Sequence, residues 1–580
     1  MNQSSFDPIT FEVIRNALQS ITDEMMVTVQ RTGRSPTTTQ AFDFSTALCD
    51  SNGDVLDQGL AIPIHMGGIP NAVQAVLSKF QGHIYSGDVI ILNDPYSGGL
   101  HLPDIFCIVP IFVEKQIFGY SVTVVHHMDV GGRSAGSMAH DSTEIYQEGI
   151  RIPPMKLYER GNLNVTLADL IQLNVRTPDV VMGDFASQIS SCRMGERGIL
   201  DLVVLYGEEF LKGYLRDLMD YSERMTRQAI SEWPDGIYKF TDYLDEDGIV
   251  DEPIPLKVAL HIRGDSALVD FTGSAPQTKG AINCVLSQSK AMAYCAIRCA
   301  IGEDMPNNSG CFRPIDIIAP EGTITNMKHP ASCAARGVTS FRLIDTVLGA
   351  LAQVVPDRVA AAPEGGTSTG RFGFPQPDGS IKVYYDNVFG IRGAWSTGDG
   401  MGGAASVGAN ISNVSVEILE SQSPLRLRSY GYVPDSGGPG EHRGGLAIAR
   451  EWEILAPEAS ITWRSDRRVF RPYGLMGGEP GQGSLNILNP YTDNHILPTK
   501  INTVLRKGDV FRHVSPGGGG YGNPLNRDTE AIWWDWRNGK ITTSHARKVY
   551  GVVIDETKGT VDTARTISLR KSLVKGTQIR

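Results

Sequence analysis

The sequence predicts an α+β protein of several domains, with mixed sheets, helices and a β-rich C-terminal region. The 580 residues suffice for about three or four domains of roughly 100–200 residues each. Helical periodicity and short apolar runs alternate irregularly, which favours α+β layers over a doubly wound parallel sheet. The 63 glycines exceed the roughly 41 expected at about 7% usage. They follow no Gly-X-Y period and therefore indicate many tight turns.

The first predicted domain covers residues 1–235 and begins with a helix. Asp7 can cap this helix and Pro8 suits its first turn. Apolar residues then recur at helical spacing from Phe11 to Met25.

Short strands are predicted to follow in the same domain. From Phe42 the pattern changes to a hairpin with an Asn-Gly turn. Apolar runs at 89–93 and 121–126 predict buried strands, and residues 166–232 return to a largely helical pattern, with one helix over 198–218.

Three further segments are predicted. Residues 236–420 are expected to form an α+β middle domain with a strand pair and a helix from Ala281 to Ile301. Residues 421–525, where short strands alternate with glycine turns, are expected to form a glycine-rich β domain. Residues 526–580 are expected to form a basic helical tail.

Composition excludes several classes of protein. The net charge of −11 argues against a nucleic-acid-binding surface, which needs clustered Lys and Arg. The eight cysteines show no C-x-x-C spacing, which favours a reduced compartment over a disulfide framework. The first residues lack the basic and apolar regions of a signal peptide, and no apolar run is long enough to cross a bilayer. We expect a cytoplasmic protein with no nucleic-acid or membrane partner.

Two glycine motifs resemble catalytic signatures but lack the required context. Residues 517–522 fit G-x-G-x-x-G, yet Asn523 and Pro524 follow where a dinucleotide-binding helix should begin. Residues 132–136 fit the G-x-S-x-G of serine hydrolases, yet Val130 and Gly131 break the required strand-to-helix turn. The sequence contains no G-x-x-x-x-G-K-[ST], so it predicts no phosphate loop for ATP.

The segment 93–132 carries the residues best suited to chemistry. His101 and Asp104 are three residues apart in a glycine- and proline-rich loop. His126 and His127 end an apolar strand, and side-chain alternation sends them to opposite faces. We therefore expect only one of these two histidines to join a given site.

These residues suggest a metal centre. An N₂O₂ set of Asp43, His101, Asp104 and His126 would suit Zn²⁺, Mn²⁺ or Fe²⁺, and the donors do not choose among them. An ion with an open position would lower the pKa of a bound water and supply hydroxide near neutral pH. The alternative for each residue is a hydrogen-bonded core position.

Three more polar residues lie near the same loops. They are His127, Glu148 and Arg151. The alternative to a role in a site is a solvated loop or a salt bridge.

Six motifs in the same order resemble the hydantoinase B family. They are NDPYSGGLHLPD, VVHHMDVGG, EGIRIPP, YVPDSGGPGEHRGG, SDRRVFRPYGLMGG and SPGGGGYGNP. The resemblance runs from about Asp7 to the tail. The family includes one of the two subunits of N-methylhydantoinase, the matching half of 5-oxoprolinase, caprolactamase, and subunits of acetone and acetophenone carboxylases. Its members usually pair with a hydantoinase A-like subunit that binds ATP.

The resemblance implies a division of labour within an α2β2-type hetero-oligomer. The hydantoinase A-like partner binds ATP and Mg²⁺ and phosphorylates the carbonyl oxygen of a lactam, hydantoin or 5-oxoproline. Asp43, His101, Asp104 and His126 match the family's metal ligands and would hold Zn²⁺ or Mn²⁺, with Fe²⁺ also compatible. Metal-bound hydroxide would then attack the phosphorylated carbon, and the C–N bond would break.

We expect further roles for the neighbouring polar residues. His127 and Glu148 are the catalytic candidates, with His127 as a proton shuttle, and Arg151 is the candidate for substrate binding. Glu148 and Arg151 would both line the pocket.

Two other functions remain open at this point. In a subunit of an ATP-dependent ketone carboxylase, the same metal site would handle carboxyphosphate and an enolate. In a structural scaffold, the chain would only stabilise its partner.

Overall fold

The computed structural model describes residues 7–59, 62–302, 304–366 and 368–577, and it confirms the α+β class. The helices are α1 Pro8–Thr32, α2 Pro36–Thr39, α3 Gly68–Lys79, α4 Val165–Asn174, α5 Pro178–Tyr206, α6 Glu208–Ser231, α7 Leu286–Ile301, α8 Gly337–Leu351, α9 Val416–Gln422, α10 Thr529–Arg537, α11 Thr543–Tyr550 and α12 Thr563–Thr577.

The strands form several sheets. They are β1 Phe44–Asp50, β2 Val55–Gln58, β3 Val89–Leu92, β4 Asp104–Val113, β5 Gln116–His126, β6 Met155–Glu159, β7 Asn162–Leu163, β8 Gly236–Leu244, β9 Ile254–Arg263, β10 Ser266–Asp270, β11 Ile315–Ile318, β12 Thr369–Pro375, β13 Ile381–Asn387, β14 Leu425–Tyr432, β15 Ile448–Ile454, β16 Glu458–Arg464, β17 Leu485–Leu488, β18 His495–Leu497, β19 Lys500–Arg506, β20 Val510–Val514, β21 Ile554–Asp555 and β22 Thr560–Val561.

The N-terminal helix α1 forms as its sequence predicts. The Asp7 side chain accepts hydrogen bonds from the backbone N–H groups of Ile9 and Thr10, which caps the helix. The recurring apolar residues form its buried face, which packs against α5.

A seven-stranded antiparallel sheet positions the candidate site. Its strand order is β2-β1-β5-β4-β3-β6-β7, and α5 packs across β4 and β5. In the register of these two strands Asp104 lies opposite His126. The backbone N–H of His126 also donates to the carbonyl oxygen of Asp43, at 3.0 Å. Asp43, Asp104 and His126 therefore meet at one end of the adjacent strands β1, β4 and β5.

A second sheet, β11-β10-β9-β8, packs against α7 and α8. Every residue of α8 is buried. Because α8 begins at Gly337, the residues just before it enter the interior of the molecule, next to the metal-ligand candidates.

Two further sheets share one core in the C-terminal half. Their strand orders are β13-β12-β16-β19 and β14-β15-β20-β17-β18, and Trp452, Trp463 and Phe511 pack in the core between them. Since β12 pairs with β16, and β16 pairs with β19, one sheet spans the predicted boundary at residue 420. The division into four domains stays a prediction.

Two element boundaries differ from the sequence-based prediction. The helix predicted from Ala281 begins at Leu286, because Ala281 and Cys284 hydrogen-bond to other loops through their backbone N–H groups. The helix predicted over 198–218 is divided at Gly207, whose φ of 84° ends α5. Among the described residues, no helix combines the length and the apolar character that a membrane span requires.

Candidate metal centre

Three of the four predicted ligands form a compact buried group. The ligand atoms of His101, Asp104 and His126 all lie within 4.8 Å of one another. Nδ1 of His101 lies 2.8 Å from Oδ2 of Asp104, and the two imidazole rings are 5.2 Å apart between centroids. Asp104 opens β4 and His126 ends β5, so the strand pairing brings them together.

This group fits a divalent cation. Oδ1 of Asp104 and Nδ1 of His126 are buried and have no hydrogen-bond partner among the described residues. Buried polar atoms are normally paired, so two orphaned atoms in one cluster indicate a ligand. Two imidazoles and a carboxylate suit Zn²⁺, Mn²⁺ or Fe²⁺.

Asp43 lies beside this group but outside its 4.8 Å limit. Its carboxylate lines the same cavity, which has about 50 Å³ of open volume, room for a few water molecules at roughly 10–15 Å³ each. Burial and the nearby charge of Asp104 raise the pKa of Asp43 to about 6.

The electrostatics of the group favour the protonation states that a metal requires. Burial and the charge of Arg336 lower the pKa of His101 to about 4. Burial also lowers the pKa of His126 well below its usual range. Burial alone would raise the pKa of Asp104, but the charges of His101 and Arg336 hold it well below normal. The group therefore presents neutral imidazoles and a carboxylate at neutral pH.

His127 points away from this group, as strand alternation predicts. Its Nε2 donates to Oε1 of Gln188 on α5, at 2.9 Å, and its ring lies 4.7 Å from that of Phe185. The structure therefore does not bring His127 into the cavity.

Glu148 supports the site from outside the cavity. Its Oε1 accepts hydrogen bonds from the backbone N–H groups of Cys333 and Ala334, at 2.6 and 2.8 Å. Burial raises the pKa of Glu148 to about 8. This contact anchors the segment that carries Arg336 to the cavity.

Arg151 lies in a separate, partly exposed cluster. Its guanidinium pairs with Asp94 at 3.1 Å and lies over the rings of Tyr96 and Tyr146. Nη1 is 3.3 Å from Nε2 of His329. Arg151 does not line the cavity that the metal-ligand candidates share.

Comparison with known proteins places the chain in a family. The model of the hydantoinase B/oxoprolinase family matches residues 7–524. The chain belongs to the hydantoinase B/oxoprolinase family.

Members of this family with related sequences are enzyme subunits. The chain is 34% identical to the provisionally assigned B component of a D-/L-hydantoinase from Pseudomonas sp. (strain NS671), over 97% of this chain and 98% of that protein. It is 30% identical to a chain in the crystal structure of the ATP-dependent caprolactamase from Pseudomonas jessenii. That match has a TM-score of 0.91 and covers 98% of this chain and 100% of the other.

A nucleotide-free acetone carboxylase structure shares the fold. The match has a TM-score of 0.92, covers 99% of this chain and 84% of that chain, and shows 21% identity.

Five polar or charged cavity residues of this hydantoinase B family member were not predicted from the sequence. They are His65, Arg336, Arg371, Tyr385 and Arg464. None of them belongs to a recognised motif. His65, however, lies close to a Gly-Gly pair, and so do the histidines at 101 and 126–127. This neighbouring Gly-Gly pair is the local sequence signal that could have identified His65 as a site residue.

Two of these residues contact Asp104 directly. Nε2 of His65 lies 3.7 Å from Oδ2 of Asp104, and Nδ1 of His65 is 2.9 Å from the Ser45 hydroxyl. Arg336 forms an ion pair with Asp104. Asp104 is therefore the common partner of two histidines and one arginine.

The anchoring role of Glu148 can be tested by substitution. In Glu148→Gln the amide oxygen can still accept both backbone hydrogen bonds, whereas Glu148→Ala leaves two buried N–H groups unpaired. We expect Glu148→Ala to lower the free energy of unfolding by about 1–3 kcal/mol and Glu148→Gln to change it little at pH 5. Melting temperatures across pH 5–8 measure both.

The pH dependence supplies a second readout of the same pair of variants. The folded pKa of about 8 exceeds the unfolded value of about 4.3, so wild-type stability falls as the pH rises between these values. Gln does not titrate, so the stability of Glu148→Gln relative to wild type should increase from pH 5 to pH 8. A constant difference would contradict the raised pKa.

Proposed function

We propose that this chain is the B-type component of an ATP-dependent cyclic-amide hydrolase, which opens a lactam, hydantoin or 5-oxoproline ring. The observation that carries the proposal is the buried group of His101, Asp104 and His126 with its orphaned ligand atoms. It lies in a chain whose relatives include a provisionally assigned hydantoinase component and an ATP-dependent caprolactamase. These relatives supply the substrate class.

The proposal assigns activation to a partner. An unstrained amide is a poor electrophile, and phosphorylation of its carbonyl oxygen makes the carbon reactive. A hydantoinase A-like subunit would bind ATP and Mg²⁺ and carry out this step, in an α2β2-type assembly. The Pseudomonas hydantoinase relative is itself one component of a multi-subunit enzyme, which supports such a partner.

The ligand group would hold the catalytic metal. His101, Asp104 and His126 would bind Zn²⁺ or Mn²⁺, with Fe²⁺ also compatible, and Asp43 on the cavity wall would be the fourth ligand. When bound, such an ion supplies hydroxide near neutral pH by lowering the pKa of a water.

Other residues of the chain would orient this group and move protons. Arg336 fixes the Asp104 carboxylate. His65 is an imidazole in the cavity outside the ligand set, and the Ser45 hydroxyl orients its ring. It is therefore better placed than His127 to carry a proton to the departing nitrogen when the C–N bond breaks.

Apolar side chains complete the cavity wall. Ile62, Ile64, Met138 and Phe341 line the cavity together with the polar groups. Such a surface suits the methylene groups of a lactam and excludes water from the reacting carbon.

The function can be tested by co-expressing the chain with a hydantoinase A-like partner. We expect ATP hydrolysis that depends on a lactam, hydantoin or 5-oxoproline and yields the ring-opened amino acid, followed by chromatography. The partner alone should phosphorylate without ring opening. Bicarbonate-dependent consumption of a ketone without ring opening would instead show a ketone carboxylase.

The ligand assignment can be tested by elemental analysis. We expect His101→Ala and His126→Ala to lose the metal and at least about 100-fold in turnover, because each removes a direct ligand. His495→Ala, at an exposed position on β18, is the matched control and should keep both. Unchanged metal content in both site variants would overturn the assignment. Normal assembly with lost turnover would exclude a purely structural scaffold.

The proton-transfer role can be tested by comparing substitutions of His65 and His127. We expect His65→Gln to lower kcat about 100-fold while the metal content stays unchanged. His127→Gln should keep most of the activity, because the wild-type side chain faces α5. The reverse pattern would support His127 as the shuttle, as the sequence predicts.

A further inference from the structure

Two arginines in the cavity form no ion pair with the described residues. Arg371 is 1% exposed and Arg464 is partly buried. Neither lies within 4.0 Å of a carboxylate oxygen anywhere in the part of the chain that the structure describes. Arginines so placed are normally paired, because burying an isolated charge is costly.

Their hydrogen-bonding capacity is also largely unused. Nη1 of Arg371 donates to the carbonyl oxygen of Gly370, and Nη1 of Arg464 donates to that of Ala334, each at 3.2 Å. Nε and Nη2 of Arg371 and Nε of Arg464 are buried without a partner among the described residues. Both residues line the cavity, so these groups have hydrogen-bonding capacity that the described part of the chain does not use.

The sheet register directs both arginines to the same side. Thr369 on β12 lies opposite Arg464 on β16, and Arg371 follows Thr369 by two residues. Because side chains alternate along a strand, Arg371 and Arg464 share one face of the sheet. Neighbouring like charges on one face repel each other, so an anion between them would stabilise the pair.

Tyr385 connects this pair to the metal-ligand candidates. It lies opposite Arg371 in the register of β12 and β13, and the Arg371 guanidinium carbon is 3.6 Å from its ring centroid. The Tyr385 ring also stacks on that of His126, with the ring centroids 6.3 Å apart. An anion held by the arginines would therefore lie next to the candidate metal centre.

The carboxylates of the cavity form no ion pair with either arginine, although the charge of Asp43 acts on both from a longer distance. Asp104 already contacts Arg336 and His101, and Asp43 lies outside ion-pair distance of Arg371 and Arg464. The cavity is lined by three arginines and two aspartates, so its cationic side chains outnumber its anionic ones. This excess of positive charge favours binding of an anionic ligand from outside the chain.

We propose that Arg371 and Arg464 form a binding site for the phosphoryl group of the activated substrate. The planar guanidinium fork matches the oxygens of a phosphate. A phosphoryl group held there would leave the neighbouring carbon facing His101, Asp104 and His126. The identity of this anion depends on the proposed hydrolase function, whereas the presence of an anion site does not.

The proposal is tested with inorganic phosphate and the full-length chain, without partner, ATP or lactam. Isothermal titration calorimetry would compare wild type with Arg371→Gln and Arg464→Gln. We expect each to weaken phosphate binding about tenfold or more, with unchanged metal content. Arg227→Gln, on the outer surface of α6, is the matched control and should bind phosphate like wild type.

Equal phosphate affinity in wild type and both cavity variants, or no phosphate binding by wild type, would overturn the proposal. Should Arg371→Gln fail to fold, Arg371→Lys keeps the charge but loses the fork, and unchanged affinity there together with unchanged affinity in Arg464→Gln would overturn it.

The type of anion is decided by repeating the titrations with bicarbonate. At least tenfold tighter binding of phosphate supports a phosphoryl site, and equal or tighter binding of bicarbonate overturns that assignment. These outcomes do not depend on the ring-opening assay. An active hydrolase that fails to bind phosphate would refute the anion site alone, and phosphate binding by a chain that is inactive on cyclic amides would refute the hydrolase function alone.

Discussion

The candidate site depends on the register between β4 and β5. Side chains alternate along a strand, so a slip of one residue would exchange the two faces of β5. In the observed register His126 faces the cavity and meets Asp104, while His127 faces α5. The hydrogen bond from His127 to Gln188 helps to hold this register, because Gln188 also donates to the carbonyl oxygen of Ile105 on β4. The residue that was expected to act in the cavity thus secures the strands that form it.

Asp104 connects this sheet to the rest of the molecule. It meets His101 within its own loop, and Arg336 reaches it from the segment before α8. Glu148 fixes that segment through the backbone of Cys333 and Ala334. A buried carboxyl group with a raised pKa therefore acts at a distance, by placing the arginine that keeps Asp104 ionised.

Apart from Asp43, the site residues that could be predicted from the sequence are close together in one segment. His101, Asp104 and His126 lie within one segment, and strand alternation correctly separated His126 from His127. Glu148 and Arg151 are near the same segment in sequence, but their side chains pack against other loops. Proximity in sequence was therefore a poor guide to which polar side chains reach the cavity.

Arg371 and Arg464 show why the other cavity residues could not be predicted from the sequence. Arg371 and Arg464 come from strands of the C-terminal half, and only the pairing of β12 with β16 brings them together. The predicted start of α7 was wrong for a similar reason. Ala281 lies outside the helix because its backbone hydrogen-bonds to a loop that is distant in sequence.

The same long-range packing explains the G-x-S-x-G segment, which resembles a hydrolase signature. Its last glycine, Gly136, has a φ of 76° and lies against the Arg371 side chain, where a Cβ atom would come within 3.0 Å. The glycine gives the arginine room rather than forming a nucleophile elbow. One wall of the cavity thus belongs to the N-terminal sheet with its metal-ligand candidates, and the other belongs to the C-terminal sheet with its unpaired cations. Only when both halves of the chain are packed together do the groups suited to a metal face the groups suited to an anion.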